Sequence, residues 1–259
     1  MPAALSHHHH PAAIELLHVR PRQLLTQNSR LRRDRIYNWT LPAWAGRLPD
    51  GRTYNTCPSA GICAKVCYAR AGAYRFSNVL ARHERNLAYV LDDLVGWTAQ
   101  MIAEINRKRV GTIVRIHDGG DFFADAYLTA WLTVMTHCSS SRFYTYTKEV
   151  NRFRRLVEPR ALRNFKWVYS YGGIQDIRLN PARDRVADVF PTAADIVAAR
   201  YHDQSASDLL AVDGPSPVGM AANNIPHFLK RQGDRTFRTW QAETNALFSR
   251  RRRQPASGQ

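Results

Sequence analysis

Short runs of β-branched and aromatic residues alternate along this chain with longer amphipathic stretches, and nothing else in the sequence restricts the fold as much. The runs are Ile36 to Trp44, Gly111 to His117, Arg142 to Thr147, Phe165 to Tyr171, Val186 to Phe190 and Asp208 to Val212. Bounded by Gly, Pro or Asp, such runs read as strands. Between them apolar residues recur at helical spacing, in one long helix from Ser77 to Arg107 and in Ala124 to His137, Arg152 to Arg160 and Thr192 to Tyr201. Strand–helix alternation implies parallel strands joined by right-handed crossovers. The expected fold is α/β, a single partial (β/α)6 TIM-like barrel over 36–250, with a doubly wound sheet as the alternative. A basic, partly helical extension covers 1–35, and 251–259 reads as a disordered tail.

In folds of this kind ligands bind beyond the C-terminal ends of the strands. Gly, Asp and Lys collect at those positions here, in His117-Asp118-Gly119-Gly120-Asp121, at Lys148, in Gly172-Gly173 and in Asp213-Gly214. Glycines let a ligand's polar groups reach the backbone, and an acid such as Asp121 can receive an ammonium group. Lys148, closing its strand, can hold a carboxylate or phosphate. Gly119, Gly120, Asp121, His117, Lys148 and Asp213 are therefore the candidate cofactor contacts. An ordinary strand-to-helix turn with an aspartate cap accounts for 117–121 equally simply.

Three of the four cysteines, Cys57, Cys63 and Cys67, fall inside eleven residues with the spacing C-x5-C-x3-C. Pro58, Gly61, Ser59 and Ala60 allow a tight loop, and three soft thiolates on such a loop suit an iron–sulfur cluster or a zinc ion. Zinc sites commonly pair two short C-x2–4-C knuckles, and C-x5-C-x3-C does not supply two, so a [4Fe–4S] cluster is the favoured occupant. Cys138 ends a helix, expected on the far side from the strand ends, so His137, His117 and His83 remain as candidate fourth ligands, or one iron is left open.

The formal charge of +16 suits nucleic acid or another anionic partner. Hydrophobic residues make up 44% of the chain, with ten Phe, eleven Tyr and six Trp, which places it among folded proteins. The N-terminus has no apolar signal core and no stretch is long enough to span a membrane, so the expected compartment is the cytoplasm. There, clustered cysteines serve as metal ligands rather than disulfides. The run His7 to His10 is left out of the site.

Two resemblances follow from these motifs. Cys67-Tyr68-Ala69 after a first strand, with Gly119-Gly120-Asp121 at the end of the next, resembles the radical S-adenosylmethionine superfamily. The usual spacing there is C-x3-C-x2-C, from which this chain departs. The segments Leu25 to Leu31, Asn55 to Pro58, the cysteine loop, Arg115 to Phe122 and Tyr146 to Lys148 are similar to the phage family called gene product 88. That likeness implies a phage or prophage origin. The first resemblance implies an enzyme. Cys57, Cys63 and Cys67 would hold the cluster, and S-adenosylmethionine would sit at the open iron. Gly119 to Asp121 would take its amino group, and Lys148 or an arginine its carboxylate. A reductant such as ferredoxin or flavodoxin would then drive radical chemistry. The alternatives are a metal-braced nucleic-acid-binding protein without catalysis and a cluster used for redox sensing or electron transfer.

Overall fold

The computed structural model describes residues 11–253, so the His7 to His10 run and the tail from 254 onward lie outside it. Helix α1 (Pro11–Leu17) and the single turn α2 (Ser29–Arg33) come first. Strand β1 (Ile36–Trp39) leads into an antiparallel hairpin, β2 (Ala45–Arg47) and β3 (Thr53–Asn55). The cysteine stretch follows as three short 3₁₀ turns, Ile62–Val66, Tyr68–Arg70 and Gly72–Arg75. Helices α3 (Ser77–Asp92) and α4 (Leu94–Asn106) return the chain to β4 (Ile113–Ile116). Then come α5 (Asp125–His137), β5 (Arg142–Thr147), α6 (Val150–Leu156), β6 (Phe165–Ser170) and β7 (Val186–Phe190). The rest is α7 (Ala193–Ala198), β8 (His202–Asp203), α8 (Leu210–Asp213), β9 (Val218–Ala221), α9 (Pro226–Gln232) and α10 (Phe237–Arg253).

Seven strands form one sheet in the order β1-β4-β5-β6-β7-β9-β8, and every pairing in it is parallel. The α/β expectation holds at that level, but the barrel is not closed. Its two edges, β1 and β8, do not meet. The edge of β1 is already used: Thr26 exchanges both backbone hydrogen bonds with Asn38, at 2.9 and 2.7 Å. At the far side β8 is only two residues long.

Two expected elements are different in the structure. The long helix breaks at Asp93, because its Oδ1 accepts the Gly96 N–H at 2.7 Å and starts α4 afresh. An aspartate side chain that captures a nearby backbone N–H competes with helix continuation in this way. The expected sixth strand, Asp208 to Val212, instead leads into the helical turn α8. Leu209 and Val212, one turn apart, pack with Tyr144, Val168 and Ala187 on the sheet. An apolar run that short does not distinguish strand from helix.

Strand alternation divides the core into two layers. Val114, Ile116, Phe143 and Tyr169 face the layer of α4, α5 and α6, whereas Ile36, Tyr144, Val168 and Ala187 face α2 and α8. The first layer is built on aromatic rings, with Trp97 and Trp131 in edge contact at 5.1 Å and both fully buried. We expect Trp131→Ala to cost about 3–5 kcal/mol in a urea melt, the range for emptying a large aromatic site in a packed core.

Candidate functional site

The cysteine loop lies over the C-terminal ends of β4, β5 and β6, bonded to the loop after each. The Asp121 N–H donates to the Thr56 carbonyl at 2.8 Å. The Ser59 N–H donates to Glu149 Oε1 at 3.0 Å. Gly61 and Cys63 both donate backbone N–H to the Gly172 carbonyl, at 3.0 and 3.2 Å. The Tyr68 hydroxyl reaches the Asp118 carbonyl at 2.6 Å. Beneath the loop, Ile62 and Val66 pack with Phe228, Phe237 and Trp240, and the Ile62 N–H donates to Gln241 Oε1 at 2.7 Å. Position 61 favours glycine, since a Cβ there would lie 2.9 Å from the Gly172 backbone carbonyl and 2.0 Å from that Gln241 oxygen.

All four cysteines are free thiols, with Cys57, Cys63 and Cys67 half-buried and Cys138 buried elsewhere, at the end of α5. Burial raises the three loop thiols, Cys67 to about 11. After burial, the charges of Asp121 and of Cys63 raise Cys57, and the charge of Cys63 raises Cys67. Neighbouring thiols held neutral in this way give up their protons when a cation arrives to replace them. Among the described residues no three His, Cys, Asp or Glu side chains are grouped as a ready metal site, although the three thiols share one loop.

The residues expected around them divide sharply. His117 has φ +69, which turns its ring into the helical layer, 2.9 Å from the Tyr127 hydroxyl and edge-on to Phe122. Burial holds it neutral, down at about 3. It belongs to the core and not to the loop. Gly119 and Gly120 do sit beside the cysteine loop, but their bare backbone is filled by the chain itself. A Cβ on Gly119 would lie 3.1 Å from the Leu41 carbonyl and 3.3 Å from Ala69, and one on Gly120 2.8 Å from Leu41.

Asp121 is buried and already accepts three bonds. Oδ1 takes the Phe122 N–H at 2.8 Å and the Thr147 hydroxyl at 2.7 Å, and Oδ2 takes the Lys148 N–H at 2.8 Å. Lys148 Nζ donates to Ser170 Oγ at 2.9 Å, and its charge reaches the thiols of Cys63 and Cys67. Asp213 is at the opposite end of the sheet. It pairs with Arg142 and Lys166 at the N-terminal ends of β5 and β6, 2.7 Å from each, because α8 replaces the expected strand.

Three residues that hold the loop carried no sequence motif. Glu149 follows Lys148 and binds the Ser59 N–H and Arg152. Asp176 accepts the N–H groups of Gly172 and Gly173 at 2.7 and 2.9 Å, a turn that the spacing Gly-Gly-x-x-Asp could have signalled. Gln241 lies 179 residues from its partner and left no local trace.

Burial, followed by the charge of Asp121, pushes Glu149 up to about 7 from an ordinary 4.5. Ionising it therefore costs the native state. The unfolded chain holds fewer protons between these values, so the wild-type stability relative to Glu149→Gln should fall as pH rises from about 4.5 to about 7. It should be level on either side, with a total change of roughly 3 kcal/mol. Urea melts of both proteins across that range check this.

A family profile described as Gene product 88 matches residues 22–252 of the chain. Curated relatives include the Gene 88 proteins of Mycobacterium phages D29 and L5. Each is 34% identical over 110 residues, which is 39% of this chain and 45% and 46% of the respective relative. The chain thus spans less than half the length of these relatives. No solved structure matches. Among the described residues no helix is long and apolar enough to cross a membrane.

Proposed function

The chain belongs to the gene product 88 family, and from that premise we propose that Cys57, Cys63 and Cys67 hold a [4Fe–4S] cluster with one iron left open to S-adenosylmethionine. The observation that carries this reading is the gathering of three free, half-buried thiols on one loop bonded to the loops after β4, β5 and β6. The donor set fits in number and softness. The one-way advance of the parallel strands from β1 to β7 suits a partial barrel.

The cluster would supply the electron for reductive cleavage of the bound sulfonium. The chain's own residues orient and enclose the site. Lys148 presents an ammonium beside the loop, and its one bond among the described residues is to a serine hydroxyl, which leaves it able to take a carboxylate. Asp121 does not fit the role of holding an amino group, since its carboxylate is occupied by three donors of the protein. In this reading it braces the loop from below.

Anaerobic reconstitution tests the proposal. We expect about four iron and four sulfide per chain with thiolate-to-iron absorption near 400 nm (order-of-magnitude values for such a cluster), lost in each single Cys→Ala variant. S-adenosylmethionine should alter the EPR signal of the reduced protein, and Lys148→Ala should weaken that response. Stoichiometric zinc without visible absorption would sink the cluster. An unchanged EPR signal would sink the cofactor alone.

A further inference from the structure

The surface of the cysteine loop carries cations that no acid neutralises. Lys65, Arg70, Arg75 and Arg231 are exposed. Elsewhere Arg20, Arg52, Arg142, Arg152, Arg155 and Arg235 pair with Asp or Glu, but none of these four does among the described residues. The loop's own acids do not offset them. Asp121 and Glu149 are buried, and Asp176 is bonded to two backbone N–H groups.

Flat apolar groups lie beside two of these cations. Arg70 stacks on Trp44 at 4.9 Å, and Trp44 keeps 37% of its surface exposed. Phe76, next to Arg75, is 62% exposed, and its turn folds back on the loop through Tyr74, which meets Tyr68 edge-on at 5.7 Å. Arg231 Nη1, from α9, donates to the Lys65 carbonyl at 2.9 Å, which holds that guanidinium against the backbone of the loop.

We propose that single-stranded nucleic acid docks across this loop, with its phosphates on Lys65, Arg70, Arg75 and Arg231 and its bases on Trp44 and Phe76. Charge alone would suit any polyanion. The exposed rings favour a single strand, because unstacked bases can lie on aromatic faces and a duplex offers none. The inference rests on the outer surface of the loop and not on what the thiols bind.

Fluorescence anisotropy on the full chain tests it, with a labelled oligothymidylate about 15 nucleotides long, near the upper site size of such surfaces, and a duplex of equal length. The single strand should bind more tightly, with log K falling against log salt at a slope of about −3 for four phosphate contacts. Arg70→Ala should reduce that slope by about 0.7. Phe76→Ala and Trp44→Ala should each weaken binding about tenfold and leave the slope unchanged. Phe76 is mostly exposed, so its variant keeps the fold under test. Arg107→Ala/Arg109→Ala, at the opposite end of the sheet, should change little. Equal affinity for the duplex, no effect of Phe76→Ala, or an equal loss from the Arg107/Arg109 variant would overturn the proposal. Loss of iron binding in the Cys→Ala variants with oligonucleotide binding intact would leave it standing and bear only on the cluster.

Discussion

Asp121→Ala should lower the stability by about 3 kcal/mol or more and free the cysteine loop as it does so. The side chain accepts two backbone N–H groups and a hydroxyl in a buried position. Each buried donor left without a partner costs about 1–3 kcal/mol. Removing a desolvated carboxylate next to Glu149 returns part of that, which keeps the net near the lower end of the sum. Asp121→Asn should recover only part of the loss, since its NH2 would face the Lys148 N–H. Guanidinium melts give the energies, and the rate of thiol labelling with an alkylating reagent reports the loop. A variant of normal stability that had lost only cofactor binding would show instead that the acid serves a ligand.

Gly172→Ala is the second large effect. The residue sits at φ +97, where a side chain is strained, and a Cβ there would lie 2.9 Å from Phe237 and 3.3 Å from the Cβ of Cys63. Backbone strain of about 1–3 kcal/mol and overpacking of similar size both apply. The expected cost is about 2–5 kcal/mol, with faster labelling of Cys63. Gly72 makes the control. It too has a positive φ, +53, but nothing lies within 4 Å of its Cβ position. Gly72→Ala should show the strain alone, about 1 kcal/mol. Equal effects at both positions would mean that the packing around Gly172 is unimportant.

How far the sequence announces this structure depends on how local each determinant is. β4, β5, β6 and β7 are legible because their β-branched and aromatic runs stop at Gly, Asp, Lys or Pro, and the run itself decides the conformation. The break at Asp93 is a local capping choice, hidden inside an otherwise continuous helical period. Closure of the sheet was not legible. It turns on Thr26 occupying the edge of β1 and on the two residues of β8, and neither leaves a periodic signal.

The site divides in the same way. The three cysteines announce themselves by spacing. His117 looks like a rim residue until one positive φ turns it into the core. Gly119 and Gly120 were legible as close-approach positions, but composition alone cannot say whether the neighbour is a ligand or, as here, Leu41 and Ala69. Gln241 and its 179-residue reach were beyond any local reading.

That reach also sets an order of events during synthesis. The cysteines leave the ribosome early, whereas Gln241, Phe237 and Trp240, which close the underside of the loop, belong to α10. Until α10 is made, Ile62 lacks its acceptor and the side chains of Phe237 and Trp240. A chain interrupted before α10 therefore presents the cysteine loop with its underside open, and only a chain that includes α10 closes it.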